Sequence, residues 1–336
     1  MSGHRQPRRV SVVIPTFNRA ALLRQTIDAV LAQSVPADEI IIVDDGSTDG
    51  TAAMVEGLAP AMRLLRQANA GDLAARNAGL AQARGELVAF CDSDDLWRPD
   101  FLATMHRLWD AEPMTSAAFA NFSIIRDGVW QAGNKFAEAP PQFWDGLRQI
   151  APDLAMFDSP IISRLIDFQP CFPSCLVTDR ALFQAVGGWD EQAGRGVGCD
   201  FATILRLGDM ALLGVVQTPL VGIRKHAGNH SANTEAMNLG DAMVLEHVLG
   251  TRPWLRPLAP RISASIARRR LDALDSAFAR GDLDAVRAIG RLLPQGAVAG
   301  RRRVKLAVAA LPSPLARATG GALGAFRAAV GRIGLT

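Results

Sequence analysis

Three acids occupy four consecutive positions at Asp92-Ser93-Asp94-Asp95. Carboxylates this close repel one another, so a compensating charge is expected. A divalent cation held by one or two carboxylates and by substrate phosphates would supply it. Alone, such a cluster makes an ordinary solvated turn, but its setting changes the reading. It follows the apolar run Glu86–Cys91, and two other apolar runs end in the same manner. Val10–Ile14 (VSVVI) leads into Pro15-Thr16-Phe17-Asn18, and Glu39–Val43 (EIIIV) leads into Asp44-Asp45-Gly46-Ser47. A carboxylate at Asp44 or Asp45 could accept hydrogen bonds from a nucleobase or a ribose.

The elements that must position these groups follow from periodicity. Val10–Ile14 and Glu39–Val43 are continuous apolar runs, as in strands buried on both faces. Met62–Arg66 and Glu86–Cys91 read as a third and a fourth strand. Between them, Leu22, Leu23, Ile27, Val30 and Leu31 recur at helical spacing, and Thr51–Leu58, Gly71–Ala83 and Asp100–Asp110 read as helices. Alternation of this kind predicts an α/β fold with a mostly parallel sheet and helices on both faces. Ligands of such sheets bind at the carboxyl ends of the strands, where the polar clusters lie. Further on, Ala117–Ile125 and Phe172–Thr178 read as strands, Arg180–Val186 and Asp200–Leu207 as helices, and Ala211–Arg224 as paired strands. Residues 135–170 show no clear period and read as a loop on the acceptor side. Residues 240–292 are helical, with a Gly281-Asp282 turn inside them. Gly194, Gly196 and Gly198 read as a mobile loop before Asp200, able to close over a donor and an acceptor.

The chain has 336 residues, enough for about two domains. At 49% hydrophobic and 21% charged residues it is an ordinary soluble globular protein, neither disordered nor collagen-like. Four cysteines cannot form a disulfide framework, and Cys171 and Cys175 lack the partners of a zinc site. The net charge of +3 conceals an asymmetry: residues 1–250 carry 20 basic and 29 acidic side chains, residues 251–336 carry 16 and 4. No signal peptide or membrane span is expected, because Gln217 and Pro219 interrupt the longest apolar stretch, Met210–Ile223. The expectation is a cytoplasmic protein whose basic C-terminus could touch the anionic, cytoplasmic face of a membrane. Nucleic acid is not an expected partner, since the front is acidic and no aromatic residues interleave the basic clusters. Walker A, His-Glu-x-x-His and Gly-x-Ser-x-Gly patterns are missing.

Taken together, Val12-Val13-Ile14-Pro15-Thr16-Phe17-Asn18-Arg19, Ile41-Ile42-Val43-Asp44-Asp45-Gly46-Ser47-Thr48-Asp49, Asn69-Ala70-Gly71, Ala75-Arg76-Asn77-Ala78-Gly79 and Gly85 through Asp95 resemble the family 2 inverting glycosyltransferases of GT-A fold. Gly187-Gly188-Trp189-Asp190-Glu191 resembles the family's segment near the acceptor. Arg224-Lys225-His226-Ala227-Gly228-Asn229-His230-Ser231 resembles its closing Arg-x-His…Ser motif. The resemblance implies a Rossmann-like sheet, a nucleotide-diphosphate sugar donor, and inverting transfer of the sugar to a hydroxyl of a glycan or lipid-linked acceptor, as in polysaccharide biosynthesis. Residues 1–235 would form the catalytic domain, with 10–110 its nucleotide half and 111–235 its acceptor half, and 236–336 a basic helical extension.

Carried over to this sequence, Pro15, Thr16, Phe17, Asn18, Arg19, Asp44, Asp45, Arg76, Asp92 and Ser93 would line the nucleotide-sugar site. Asp94, Asp95 and His226 would hold Mg²⁺ or Mn²⁺. Trp189, Asp190 and Glu191 would lie on the acceptor side. Asp200 would be the general base, with Asp190 or Glu191, or a plain helix N-cap at Asp200, as alternatives. The neighbour of Asp200 is Cys199, where the family usually has Glu. Two rival readings are a non-catalytic protein that keeps the nucleotide-sugar site, supported by Cys199 alone, and a sugar-phosphate nucleotidyltransferase. The latter usually has a Gly-rich phosphate loop where this chain has Pro15-Thr16-Phe17-Asn18.

Overall fold

The computed structural model describes residues 8–210, 212–226, 228–229 and 233–311. The chain divides into two compact units: one runs to Arg195 and resumes at Cys199–Asn229, and the other comprises Gly196–Gly198 and the residues from His230 onward.

In chain order the first unit contains β1 (Val10–Thr16), α1 (Ala20–Leu31), β2 (Glu39–Asp44), α2 (Thr51–Val55), β3 (Met62–Arg66), α3 (Asp72–Gln82), β4 (Leu87–Phe90), β5 (Leu96–Trp97), α4 (Phe101–Ala111), β6 (Ala117–Arg126), β7 (Val129–Trp130), β8 (Leu147–Ala151), β9 (Leu154–Phe157), α5 (Ile162–Leu165), β10 (Leu176–Asp179), α6 (Arg180–Ala185), α7 (Phe201–Gly208) and β11 (Leu213–Lys225). The strands form one sheet in the order β3-β2-β1-β4-β10-β6-β11-β9-β8, with β5 on β11 and β7 on β6 at its margin. β1 runs parallel to β2 and β4, and β2 parallel to β3. β10 lies antiparallel between β4 and β6, so the sheet is mixed from there on. The α/β fold and the parallel strands over the first 110 residues expected from the sequence are therefore present.

The core explains the continuous apolar runs. Val12, Val13, Ile14, Ile41, Ile42 and Val43 have no exposed surface, because helices cover both faces of these strands. α3 approaches β1 so closely that a Cβ on Gly79 would lie 2.4 Å from Val13 Cγ1.

Two readings need correction. Residues 135–170 are not a plain loop: β8 and β9 pair antiparallel within them, and α5 follows. All four residues of β9 are buried, so it lacks the alternation that marks a half-exposed strand. Ala211–Arg224 is not a pair of strands either. β11 is one strand of 13 residues whose pairing with β6 shifts register around Pro219. A proline cannot donate to a ladder, and here the break is absorbed as a bulge instead of a turn.

The second unit holds α8 (Thr234–Thr251), α9 (Ala259–Ala279), α10 (Leu283–Arg291) and α11 (Arg301–Ala310). Ala273, Leu274, Ala277, Val286, Ile289 and Ala309 form its buried core. Asp282 caps α10 through Ala285 N at 2.9 Å, which accounts for the Gly281-Asp282 turn. Gly196–Gly198 belong to this unit, where a Cβ on Gly240 would lie 1.9 Å from Val197 O, so the end of the expected mobile loop meets tightly packed backbone.

Candidate active site at the strand ends

β1, β2 and β4 are parallel neighbours and deliver their C-terminal residues to one edge. At the end of β2 two adjacent acids do different work. Asp45 is spent on structure: Oδ1 accepts from Gln67 Nε2 at 2.7 Å and Ala70 N at 2.8 Å, and Oδ2 accepts from Gly71 N at 2.8 Å. Asp44 is fully buried; its Oδ1 accepts from Ser47 N at 2.8 Å, while Oδ2 accepts no hydrogen bond and has only Arg66 Nε at 3.4 Å. A buried carboxylate oxygen of this kind is costly unless a donor reaches it. Ser47 in turn accepts from Asn18 N at 2.8 Å, and Asn18 accepts from Thr48 N at 2.7 Å, which holds Asn18 at a φ of 50°. Pro15 and Thr16 are buried in β1, and Phe17 is exposed.

At the start of α3, Arg76 is buried and bridges two acids, with Nη1 2.6 Å from Asp72 Oδ2 and Nη2 2.6 Å from Asp92 Oδ1. It lies over the Trp189 ring at 5.1 Å. Burial works against this charge, but Asp92 and Asp72 outweigh it and raise the pKa, so Arg76 is a fixed cation. Burial, only partly offset by Arg76, raises the Asp92 carboxyl above its usual range.

Asp95 is enclosed, with Oδ2 accepting from Ser174 Oγ at 2.5 Å and Oδ1 from Arg224 N at 3.1 Å. Burial, reinforced by Asp94 and Asp92, pushes it well above the normal carboxylate range. Arg224 ties this loop to α1: Nε donates to Asp94 O, Nη2 to Leu22 O and Thr26 Oγ1 at 2.9 Å each, and Nη1 to Gln25 Oε1 at 2.7 Å. Ser93 is buried beside them, its carbonyl oxygen 3.0 Å from Thr26 Oγ1. Arg224 appears in the sequence only as the first residue of the closing motif. A buried arginine just before the end of a mostly apolar strand was the signal for its role.

Asp94 gathers donors on a single oxygen. Oδ2 lies 2.6 Å from Arg19 Nη1, 3.0 Å from His226 Nε2 and 3.5 Å from Asn229 Nδ2. His226 Nδ1 accepts from Gly228 N at 3.1 Å, which assigns the proton of a neutral ring to Nε2. Ala227, His230 and Ser231 of the closing motif lie outside the described residues. Among the described residues no group of three His, Cys, Asp or Glu surrounds one point. The set nevertheless fits a divalent cation bound as Mg²⁺ commonly is, by one carboxylate, with phosphates and water completing the shell.

On the other side, Asp200 stands at the N-cap position of α7, and its side chain makes no capping hydrogen bond. Cys199 is buried with Sγ 3.9 Å from Asp72 Oδ1; burial, with the charges of Asp72 and Asp200, pushes its thiol up to about 12, so it stays protonated. Trp189 is 1% exposed and packs edge-on against Phe90 at 5.0 Å, so it is a core residue and has no face to offer an acceptor sugar. Asp190 is paired with Arg206 at 3.0 Å, and Glu191 accepts from Asn77 Nδ2 at 2.7 Å. Asn77 also joins the backbone of Trp189 through both its amide atoms.

Comparisons with known proteins show what this chain is similar to. Residues 11–164 match Glycosyl transferase family 2. The matched segment runs from β1 to α5. The chain is 36% identical over 136 residues to TuaG of Bacillus subtilis, which is named for glycosyl transfer in teichuronic acid biosynthesis; the match covers 39% of this chain and 53% of that one. It is 40% identical over 104 residues to the succinoglycan biosynthesis protein ExoO of Rhizobium meliloti, covering 30% of each. The chain thus spans about half or less of the length of these relatives. Two solved GT-A structures share the fold. TarS of S. aureus, in complex with UDP-GlcNAc, is 20% identical with a TM-score of 0.57, over 86% of this chain and 82% of that one. The mannosyltransferase PcManGT of Pyrobaculum calidifontis, with GDP-Man and Mn²⁺, is 21% identical with a TM-score of 0.52, over 95% and 88%.

Proposed function

We propose that this protein is an inverting glycosyltransferase that moves one sugar from a nucleotide-diphosphate sugar to a hydroxyl of a glycan or lipid-linked acceptor. The observation that carries the reading is a pair of acids at the ends of the two strands that flank β1: Asp44, with a buried oxygen lacking a hydrogen bond, and Asp94, whose Oδ2 meets the side chains of Arg19, His226 and Asn229. Asp44 Oδ2 would accept an N–H of the base. Asp45 and Asp95 would act by holding loops, since their oxygens are already engaged. Asp92, held by Arg76, would face the ribose.

In the transfer, the acceptor oxygen attacks the anomeric carbon from the face opposite the diphosphate. A glycosidic C–O bond forms as the C–O bond to phosphate breaks, the diphosphate leaves with the electron pair, and Asp200 takes the hydroxyl proton. A divalent cation against Asp94, when bound, supplies positive charge to the leaving diphosphate. Two neighbours are described with UDP-GlcNAc and with GDP-Man and Mn²⁺, which supports the donor class and the cation. TuaG and ExoO are named for teichuronic acid and succinoglycan biosynthesis, which supports the acceptor class. We assign catalysis to residues 1–235 and an appended role to 236–336. No described helix is long and apolar enough to cross a membrane, and the basic character of residues 251–336 favours peripheral contact with the cytoplasmic face.

Cys199 favours one second reading, donor binding without transfer, because a neutral thiol stands where the family usually has a carboxylate. Turnover decides between them. A panel of nucleotide sugars with glycan and lipid-linked acceptors should give one product of inverted anomeric configuration by NMR. Asp200→Asn should lower kcat by about 10²–10⁴-fold while leaving donor Kd near the wild-type value. Full turnover in Asp200→Asn would remove Asp200 as base, and donor binding with no turnover in the wild type would favour the second reading.

A further inference from the structure

The guanidinium of Arg19 stands where a cation on Asp94 would need to be. Its Nη1 is 2.6 Å from Asp94 Oδ2, the oxygen that also meets His226 and Asn229. The backbone on which Arg19 rides is fixed: Asn18 is bonded to Ser47 and Thr48, and Ser47 to Asp44. No acid stands in the first turn of α1, so no carboxylate of its own helix turn competes for the side chain. Asp94 is its ion-pair partner, and the pair is only part-buried, with Arg19 retaining about a quarter of its surface at 23% exposed. A divalent cation binds carboxylate oxygen at about 2.0–2.1 Å, so it and a guanidinium in direct contact with the same oxygen exclude one another by charge and by space.

We propose that Arg19 is a displaceable counter-ion that keeps a divalent cation off Asp94 until a diphosphate arrives. The diphosphate offers the guanidinium a bidentate partner of its own, for which its planar fork is suited. Arg19 then leaves Asp94 for phosphate oxygens and the carboxylate is released to the cation. Cation and diphosphate therefore bind cooperatively, each raising the affinity of the other by the same factor. Asp94 is not left bare at any stage, which matters beside the charges of Asp92 and Asp95. The inference rests on the reading that Asp94 faces a cation.

The test is Mn²⁺ binding to the full chain without nucleotide, read by the EPR signal of free Mn²⁺ and independent of activity. Arg19→Gln removes the charge and keeps a shorter polar side chain; Arg19→Ala removes the polar group as well. Each should bind Mn²⁺ about tenfold or more tighter than the wild type, within the span of ordinary coupling between competing sites. The gain should vanish in Arg19→Gln/Asp94→Asn. Circular dichroism establishes that each variant is folded. Mn²⁺ binding by the wild type that is lost in Asp94→Asn but unchanged in Arg19→Gln would overturn the counter-ion role and leave the cation reading intact. Mn²⁺ binding insensitive to Asp94→Asn in both backgrounds would overturn both.

Discussion

Arg76 is the side chain on which the electrostatics of the site turn. It is buried, charged, bonded to Asp72 and Asp92, and stacked over Trp189. Removing one member of a buried charge set leaves the others uncompensated, at a cost of about 3–5 kcal/mol when burial is complete. Asp72 and Asp92 retain solvent, at 50% and 27% side-chain exposure, so Arg76→Gln should cost about 3 kcal/mol, the lower end of that range. Urea unfolding measures it, and Arg76→Gln/Asp92→Asn should recover part of the loss. A cost below about 1 kcal/mol would mean that the network is no more than a set of surface pairs. The sequence pointed to Arg76 through its motif, and Asp72 escaped notice because an acid in the first turn of a helix is ordinary. In the same way Asp44 and Asp45 are alike in sequence, and only the fold shows that Asp44 is the one with an oxygen lacking a hydrogen bond. Asp45 is satisfied by residues 67–71, which no local pattern ties to it.

At the scale of elements, the close seating of α3 on β1 fixes where Arg76 and Asn77 point. Gly79 makes that seating possible, since a Cβ there would meet Val13 Cγ1 at 2.4 Å and Val43 Cγ2 at 3.1 Å. Overpacking costs about 1–3 kcal/mol, and the better helix propensity of alanine returns up to about 1 kcal/mol. Gly79→Ala should therefore lower the melting temperature. Gly250→Ala on α8, with nothing within 4 Å of the added carbon, should leave it unchanged or raise it. Equal effects from the two substitutions would contradict the packing argument. The β-α alternation of the first 110 residues was legible because each buried strand is a continuous apolar run bounded by turn residues. β8, β9 and the single long β11 were not: β9 is short and buried throughout, and the bulge at Pro219 looks locally like a turn.

The charge asymmetry belongs to the whole molecule, since neither half shows it alone. Residues 251–336 carry 16 basic and 4 acidic side chains, against 20 and 29 before them. Among the described residues Trp254 is 60% exposed, and the exposed Arg256 and Arg261 lie near it in the chain. An exposed indole with neighbouring arginines suits the interface of an anionic bilayer. The protein should cosediment with phosphatidylserine vesicles at low salt, release them at about 0.5 M salt, where the Debye length is only a few ångströms, and ignore phosphatidylcholine. Cosedimentation indifferent to salt or to lipid charge would contradict that account. The central claim, that the ends of β1, β2 and β4 bind a nucleotide-diphosphate sugar through Asp44, is tested most directly by calorimetric titration of nucleoside diphosphates and their sugars into the wild type and into Asp44→Asn. The account predicts binding of one base class in the wild type and a loss of about tenfold to a hundredfold in the variant, the worth of one hydrogen bond to a charged group. Undiminished binding in Asp44→Asn, or no binding of any nucleotide by the wild type, would contradict it.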